Sequence, residues 1–295
     1  MDLVDLLLET EALQIAPADE PFWYTSGTIG PYYLNTHYLY GGREPAEELL
    51  RFIDNGSSQR RTFLPELQER VLQHYQRNRI YRTVVEALVA QIKNCEVESF
   101  DYVSGGERRD WFFSIAVAAH VGKTHLAILK DRKVLALTAH GLVTAPTDLD
   151  NAAVLHVADL VTEASSYVRA WIPAIAELNG KMITAWNVVD RGQGGKLALR
   201  QSGVRSHALI EVGPTFFGAL RTNKHINAQQ AQRLLAFYQD PRASMKQILL
   251  QKPEILARAL RSEDAKISER ARLLVSQNPY GFDTAFLQRF ASAES

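Results

Sequence analysis

The chain has one cysteine, Cys95, among 295 residues, so no internal disulfide can hold the fold together. Cys95 falls at the end of a helical pattern, where a partly buried, inert thiol is expected rather than a nucleophile. The lack of a disulfide framework points to the cytoplasm. Net charge is also missing: 33 Lys and Arg balance 33 Asp and Glu. No overall basic field exists to hold nucleic acid by its backbone, and no nucleic-acid partner is expected. Long hydrophobic runs are absent too. The stretch from Val84 to Ile92 contains Glu86 and Gln91 and falls far short of a membrane span, so no membrane partner is expected. The opening MDLVDLLLETEALQ carries Asp2, Asp5, Glu9 and Glu11 without a basic leader and does not read as a signal peptide. The 8 histidines show no metal-ligand spacing, and no residue is assigned to a resident metal.

What is present is a globular composition, 46% hydrophobic, long enough for one large domain with appendages. Leu3, Val4, Leu7, Leu8 and Leu13 recur at helical spacing. The aromatic segment EPFWYTSGTIGPYYLNTHYLYGG reads as two short strands joined by a glycine-containing turn, and residues 1–42 form an N-terminal helix and hood. Residues 43–82 are an inserted segment, beginning as a short helix and then a loop through Asn55, Gly56, Ser57, Ser58, Arg60 and Arg61. From Leu64 the 3.6-residue period runs to about Asn94, as one helix or as two broken near Asn78.

The rhythm then becomes strand, helix, strand. Strands are expected at Phe100–Val103, His125–Leu129, Val154–Val161, Lys181–Val189 and His207–Val212. Helices are expected at Trp111–Val121, Ser166–Leu178 and Gly195–Ser202, which makes 83–220 an α/β core with a parallel sheet. Residues 221–295 read as a polar helical appendage, with helices at Ala228–Tyr238, Ala243–Gln251, Pro253–Leu260 and Ala265–Ser276.

In a parallel sheet, ligands bind beyond the carboxyl ends of the strands. The strand at Val154 runs into an acid, Asp159, and then a small-residue turn from Thr162 to Ser166 that opens a helix. Helix N–H groups and the hydroxyls of Thr162, Ser165 and Ser166 would make a phosphate cradle. Ordinary N-capping by Ser165 or Ser166 would leave the same pattern.

Three blocks in register carry a resemblance. TSGTIGPYYLN (25–35), VADLVTEASS (157–166) and VVDRGQGG (188–195) resemble the N-terminal, phosphoribosyl and strand-end blocks of the type I phosphoribosyltransferases, orotate phosphoribosyltransferase in particular. Those blocks read KSGRxSPYFxN, VDDVITxGTS and LDRQExG in the family. The resemblance covers roughly residues 1–215 outside the insertion. It implies a type I phosphoribosyltransferase-like core, with a phosphoribosyl site at Asp159, Thr162, Glu163, Ala164, Ser165, Ser166, Arg108 and Arg109. Asp159 would meet the ribose hydroxyls, and Thr162 and the amides of 163–166 the 5-phosphate. The base would lie against Thr25, Tyr33, Leu34, Thr162 and Arg191. GGERRD (105–110) takes the place of the pyrophosphate loop, with Arg109 as a forked clamp. Catalytic roles would fall to Asp159, Arg109, Lys130 and Lys133.

The activity so implied is transfer of 5-phosphoribosyl from phosphoribosyl pyrophosphate to orotate or a similar base. Mg²⁺ would be held mainly by substrate oxygens, in a cytoplasmic homodimer. The sequence departs from the family at Ala158, which replaces the first acid of the pair, at Ala164, which replaces the turn glycine, and at Thr25, which replaces a lysine. The stretch after Lys133 is apolar and reads as a β-hairpin instead of a mobile catalytic loop. These departures keep a second reading open, that of a weak or inactive relative binding a phosphoribosyl ligand as a sensor.

Overall fold

The structure, a computed structural model, describes residues 3–17, 20–56, 60–95 and 99–291. The chain forms two compact units: Met1–Ala12 with Asn35–Val212, and Leu13–Leu34 with Gly213–Ser295. Among the described residues no helix is long and apolar enough to cross a membrane.

The smaller unit joins strands from near the start of the chain to helices from its end. Strand β1 (Leu13–Ile15) pairs antiparallel with β4 (Tyr32–Leu34), and β2 (Phe22–Trp23) with β3 (Ile29–Gly30). The β2–β3 turn closes through Tyr24 N to Thr28 O at 2.8 Å, with Gly27 at φ 76°. Helices at 228–239, 241–251, 254–260 and 265–277 agree with the reading of the sequence. Asn227 and Gln230 form a capping box at the first, and Asp240 caps the second ahead of Pro241. Two further helices, Pro214–Thr222 and Thr284–Ala291, are additions to that reading. Strands and helices are stitched together by Tyr280, which accepts from Ile29 N at 2.8 Å, and by Arg270 Nη1, which donates to Trp23 O at 2.8 Å.

The larger unit opens with α1 (Leu3–Glu9), then α2 (Arg43–Gly56), α3 (Arg60–Arg77) and α4 (Arg79–Asn94). The short helix and loop expected at 43–62 is instead helical through Gly56 and again from Arg60. Ala46, Leu49, Leu50 and Ile53 give α2 a buried stripe at 3.6-residue spacing, which outweighs the turn-forming Asn55-Gly56. Ser57 and Ser58 lie outside the described residues. The break between α3 and α4 falls at Asn78, whose side chain accepts from Tyr81 N at 3.0 Å.

The core is a seven-stranded sheet made of β5 (Tyr102–Gly106), β6 (Thr124–Ile128), β7 (Val134–Leu137), β8 (Val143–Thr144), β9 (Ala153–Val161), β10 (Lys181–Asp190) and β11 (Arg205–Glu211). Its order is β11-β10-β9-β5-β6-β7-β8. The first five are parallel, and β7 and β8 add an antiparallel hairpin at one edge. Between β5 and β6 packs α5 (Trp111–Val121), whose residues 111–118 are all buried.

Two details differ from the sequence reading. The strand expected at 100–103 runs instead from Tyr102 through Gly106, and at its end only glycine fits: a Cβ on Gly105 would stand 2.1 Å from Ser114 Oγ, and one on Gly106 2.4 Å from Trp171. The helix expected at 166–178 begins as a π-helical turn (Tyr167–Trp171) before α6 (Ile172–Ala176). Pro173 has no N–H to donate within that helix, so the wider turn before it costs less than it would elsewhere.

Candidate functional site

The chain goes from β5 to β6 on one side and then crosses to β9 on the other, so the strand order reverses between β5 and β9. That is where α/β sheets bind ligands. Two loops leave the sheet there: Gly106–Asp110 after β5, and Thr162–Ser166 after β9, ahead of the π-helical turn.

The phosphate-turn candidates lie together. Thr162 is half-buried, Glu163, Ser165 and Ser166 are exposed, and Ala164 is buried. Ala164 stands at φ 58°, in the left-handed region that favours glycine. The third block of the sequence closes on the same turn. Arg191 N donates to Val161 O at 3.0 Å, and Gly195 N, at the start of α7 (Gly195–Gln201), donates to Thr162 O at 2.8 Å. A Cβ on Gly195 would stand 2.6 Å from Thr162 O, so the closeness of α7 to the turn depends on glycine. Arg191 itself is half-buried and directly follows β10.

The loop after β5 contains a cis peptide between Glu107 and Arg108. Arg109 is exposed, and its charge acts on His37, Asp110 and Asp159. Arg108 is engaged elsewhere, its Nη2 2.7 Å from Asp54 Oδ2 on α2. Lys130 sits in the turn between β6 and β7, its N–H donating to Glu107 Oε2 at 3.0 Å. Lys133 is exposed and paired with Asp131 at 3.2 Å. This is the tight β6–β7 turn, and the hairpin expected from the apolar sequence follows it. Thr25, Tyr33 and Leu34 belong to the smaller unit. There Thr25 is exposed, and Tyr33 packs edge-on against Phe22 at 5.8 Å between ring centroids.

Asp159 is only 8% exposed, and a second acid that the sequence reading did not single out lies beside it. Asp110, 4% exposed, accepts from Gly106 N with Oδ2 at 3.0 Å and from Asp159 N with Oδ1 at 3.0 Å, which sets the two acids side by side. Burial pushes both carboxyls well above the usual carboxylate range, and for Asp159 the neighbouring Asp110 adds to the push. The signal for Asp110 in the sequence was an acid directly ahead of an apolar helix, four residues past a glycine-rich strand end.

A buried polar layer supports the pair. Ser104 Oγ lies 2.9 Å from His156 Nδ1, and His125 Nε2 lies 2.9 Å from Ser114 Oγ. Burial lowers both histidines to about 3, so His156 is neutral and its Nε2, 3.8 Å from Asp110 Oδ2, makes no ion pair. Trp171 stacks on His156 at 4.7 Å, and Tyr167 donates to Asn187 Oδ1 at 2.7 Å. Among the described residues no three His, Cys, Asp or Glu side chains converge to hold a metal.

No protein-family model matches the chain, and comparison with curated proteins gives no match. Solved structures do match. Orotate phosphoribosyltransferase of Francisella tularensis is 14% identical with a TM-score of 0.53, over 80% of this chain and 96% of that one. The UMP synthase of Leishmania donovani is 15% identical with a TM-score of 0.53, over 80% of this chain. The match covers 41% of the length of that synthase. At such identities the likeness is one of fold: the larger unit has a mostly parallel sheet and the type I phosphoribosyltransferase fold expected from the sequence.

Proposed function

We propose that the chain transfers a 5-phosphoribosyl group from phosphoribosyl pyrophosphate to an acidic nucleobase of the orotate kind. The observation that carries this reading is the joining of two loops at the strand-order reversal: the Gly106–Asp110 loop is tied through Asp110 to the end of β9, where the Thr162–Ser166 turn begins. In the reaction the bond from C1 of the ribose to the pyrophosphate oxygen breaks and a bond from C1 to a base nitrogen forms. The base gives up its proton, and pyrophosphate leaves with the bonding pair. No covalent enzyme intermediate is needed, so the chain positions the reactants and stabilises charge. The turn after β9 would hold the 5-phosphate, Arg109 the pyrophosphate, and Arg191 an acidic substituent of the base. Mg²⁺, carried on pyrophosphate and ribose oxygens, would neutralise part of the ligand's charge.

Titration calorimetry with phosphoribosyl pyrophosphate, followed by turnover with orotate and a panel of other bases, tests this. Binding with turnover of one base supports the transferase. One observation favours the sensor reading: a tight β7–β8 hairpin follows β6, where the resemblance places a mobile catalytic loop. Binding without turnover of any base would favour that reading, and no binding at all would sink both.

A further inference from the structure

The reaction outlined above gives Asp110 no task, and β9 carries Ala158 where the resembled block has its first acid. Asp110 accepts two backbone N–H groups from two different strand ends, Gly106 of β5 and Asp159 of β9, each at 3.0 Å. Its carboxyl therefore stands beside Asp159, with both residues almost wholly removed from water. Two ionised carboxylates that close together in a buried site repel strongly, which favours a proton on one of them.

We infer that Asp110 and Asp159 hold one proton between them and that Asp110 positions the Gly106–Asp110 loop for an anionic phosphoribosyl ligand. The inference rests on the transferase or sensor reading only for the identity of the ligand. The groups that face the pair are few. From β9, His156 is neutral and cannot offset a second negative charge. From the loop, Arg109 favours ionisation of both acids. From the π-helical turn comes the hydroxyl of Tyr167, which is also sensitive to Asp190 at the end of β10. Burial opposes ionisation of both acids more than Arg109 favours it, because it is the larger effect on each. As pH rises the pair gains a second negative charge next to the site where a polyanion would bind.

Two measurements test this. In the unliganded protein, carboxyl ¹³C NMR should show a signal that titrates well above the ordinary carboxylate range of about 4. In Asp110→Asn one partner signal should vanish, and the Asp159 signal should move down. If every aspartate of the wild-type protein titrates in the ordinary range, the shared proton is refuted, whether or not the variant folds. Calorimetry with phosphoribosyl pyrophosphate should then show affinity falling about tenfold from pH 7 to pH 9, the effect of one added and partly screened charge. Asp110→Asn should flatten that profile, and an unchanged slope would remove its positioning role. If the NMR pair is present while phosphoribosyl pyrophosphate binds at no pH, the functional reading fails and the carboxyl pair stands.

Discussion

Two alanines in the same ten-residue block allow the strain in the Thr162–Ser166 turn to be measured. Ala158 and Ala164 are both buried, at 0% and 4% exposure, and both belong to the same hydrophobic core cluster. They differ in backbone: Ala158 lies within β9, whereas Ala164 is held at φ 58°. Changing either to glycine removes one buried methyl, at about 0.8 kcal/mol, and adds about 0.5–1 kcal/mol of chain entropy to be lost on folding. Ala158→Gly should therefore cost roughly 1.5 kcal/mol, more if a cavity is left. At Ala164 the same loss is offset by relief of the left-handed conformation, worth about 1–2 kcal/mol in an L-residue. The net change there should lie close to zero. Equilibrium urea unfolding reads the difference directly, as a lower midpoint for Ala158→Gly and an almost unmoved one for Ala164→Gly at unchanged slope. Equal losses in both variants would refute the strain. A gain in affinity for phosphoribosyl pyrophosphate in Ala164→Gly would add that the alanine also holds the turn away from its best binding geometry.

Gly195→Ala should force the start of α7 away from Thr162 O, costing about 1–3 kcal/mol by overpacking and weakening phosphoribosyl binding. Thermal melting with calorimetry checks both, and an unchanged protein would mean that the turn yields freely. Arg108→Ala should cost at most about 1 kcal/mol, since its partner Asp54 is at the surface. Arg109→Ala should weaken phosphoribosyl pyrophosphate far more than a nucleoside monophosphate, and equal losses for the two ligands would make Arg109 structural. The folded protein keeps the Asp110–Asp159 proton to higher pH than the unfolded chain, so the pair lowers stability increasingly as pH rises from about 4 towards its folded titration range. Asp110→Asn should therefore gain stability over wild type progressively between pH 5 and pH 9 in thermal melts, and a difference independent of pH would contradict this.

The periodic features of the sequence, and their boundaries to within a few residues, are those that local chemistry decides. The alternation of strands and helices from Tyr102 to Glu211 follows from apolar runs bounded by glycine and small polar residues. The break at Asn78 follows from its capping side chain, and the hairpin after Lys133 from its apolar run. The turn at 162–166 was legible because a strand, an acid and a hydroxyl-rich segment succeed one another without interruption. What sequence patterning missed depends on distance along the chain. The strands at 13–34 share a unit with helices beyond Gly213, and the ties between them, such as Tyr280 to Ile29, span 251 residues. Helix α2 was cut short in the reading because Asn55-Gly56 carries a strong turn signal, and only the burial of its apolar stripe overrides it.

Asp110 shows the same limit at the site itself. Read locally it is an acid ahead of an apolar helix, a common position for an N-cap, yet its side chain makes no capping bond to that helix. It turns instead to Gly106, four residues back, and to Asp159, 49 residues ahead. Counting acids at positions 158–159 gives one where the resembled pattern has an adjacent pair, and that count alone argues for a site losing its chemistry. Counting them in space, at the reversal between β5 and β9, gives two. The difference bears on function because ribose recognition depends on where carboxyl groups stand and which of them holds a proton, whichever strand supplies them. A shared proton also leaves the edge of the sheet less negative near neutral pH than two free aspartates would, which eases the approach of a ligand carrying several phosphates. The loss at position 158 is therefore weak evidence against turnover, and the tight hairpin after β6 is the stronger argument for the sensor reading.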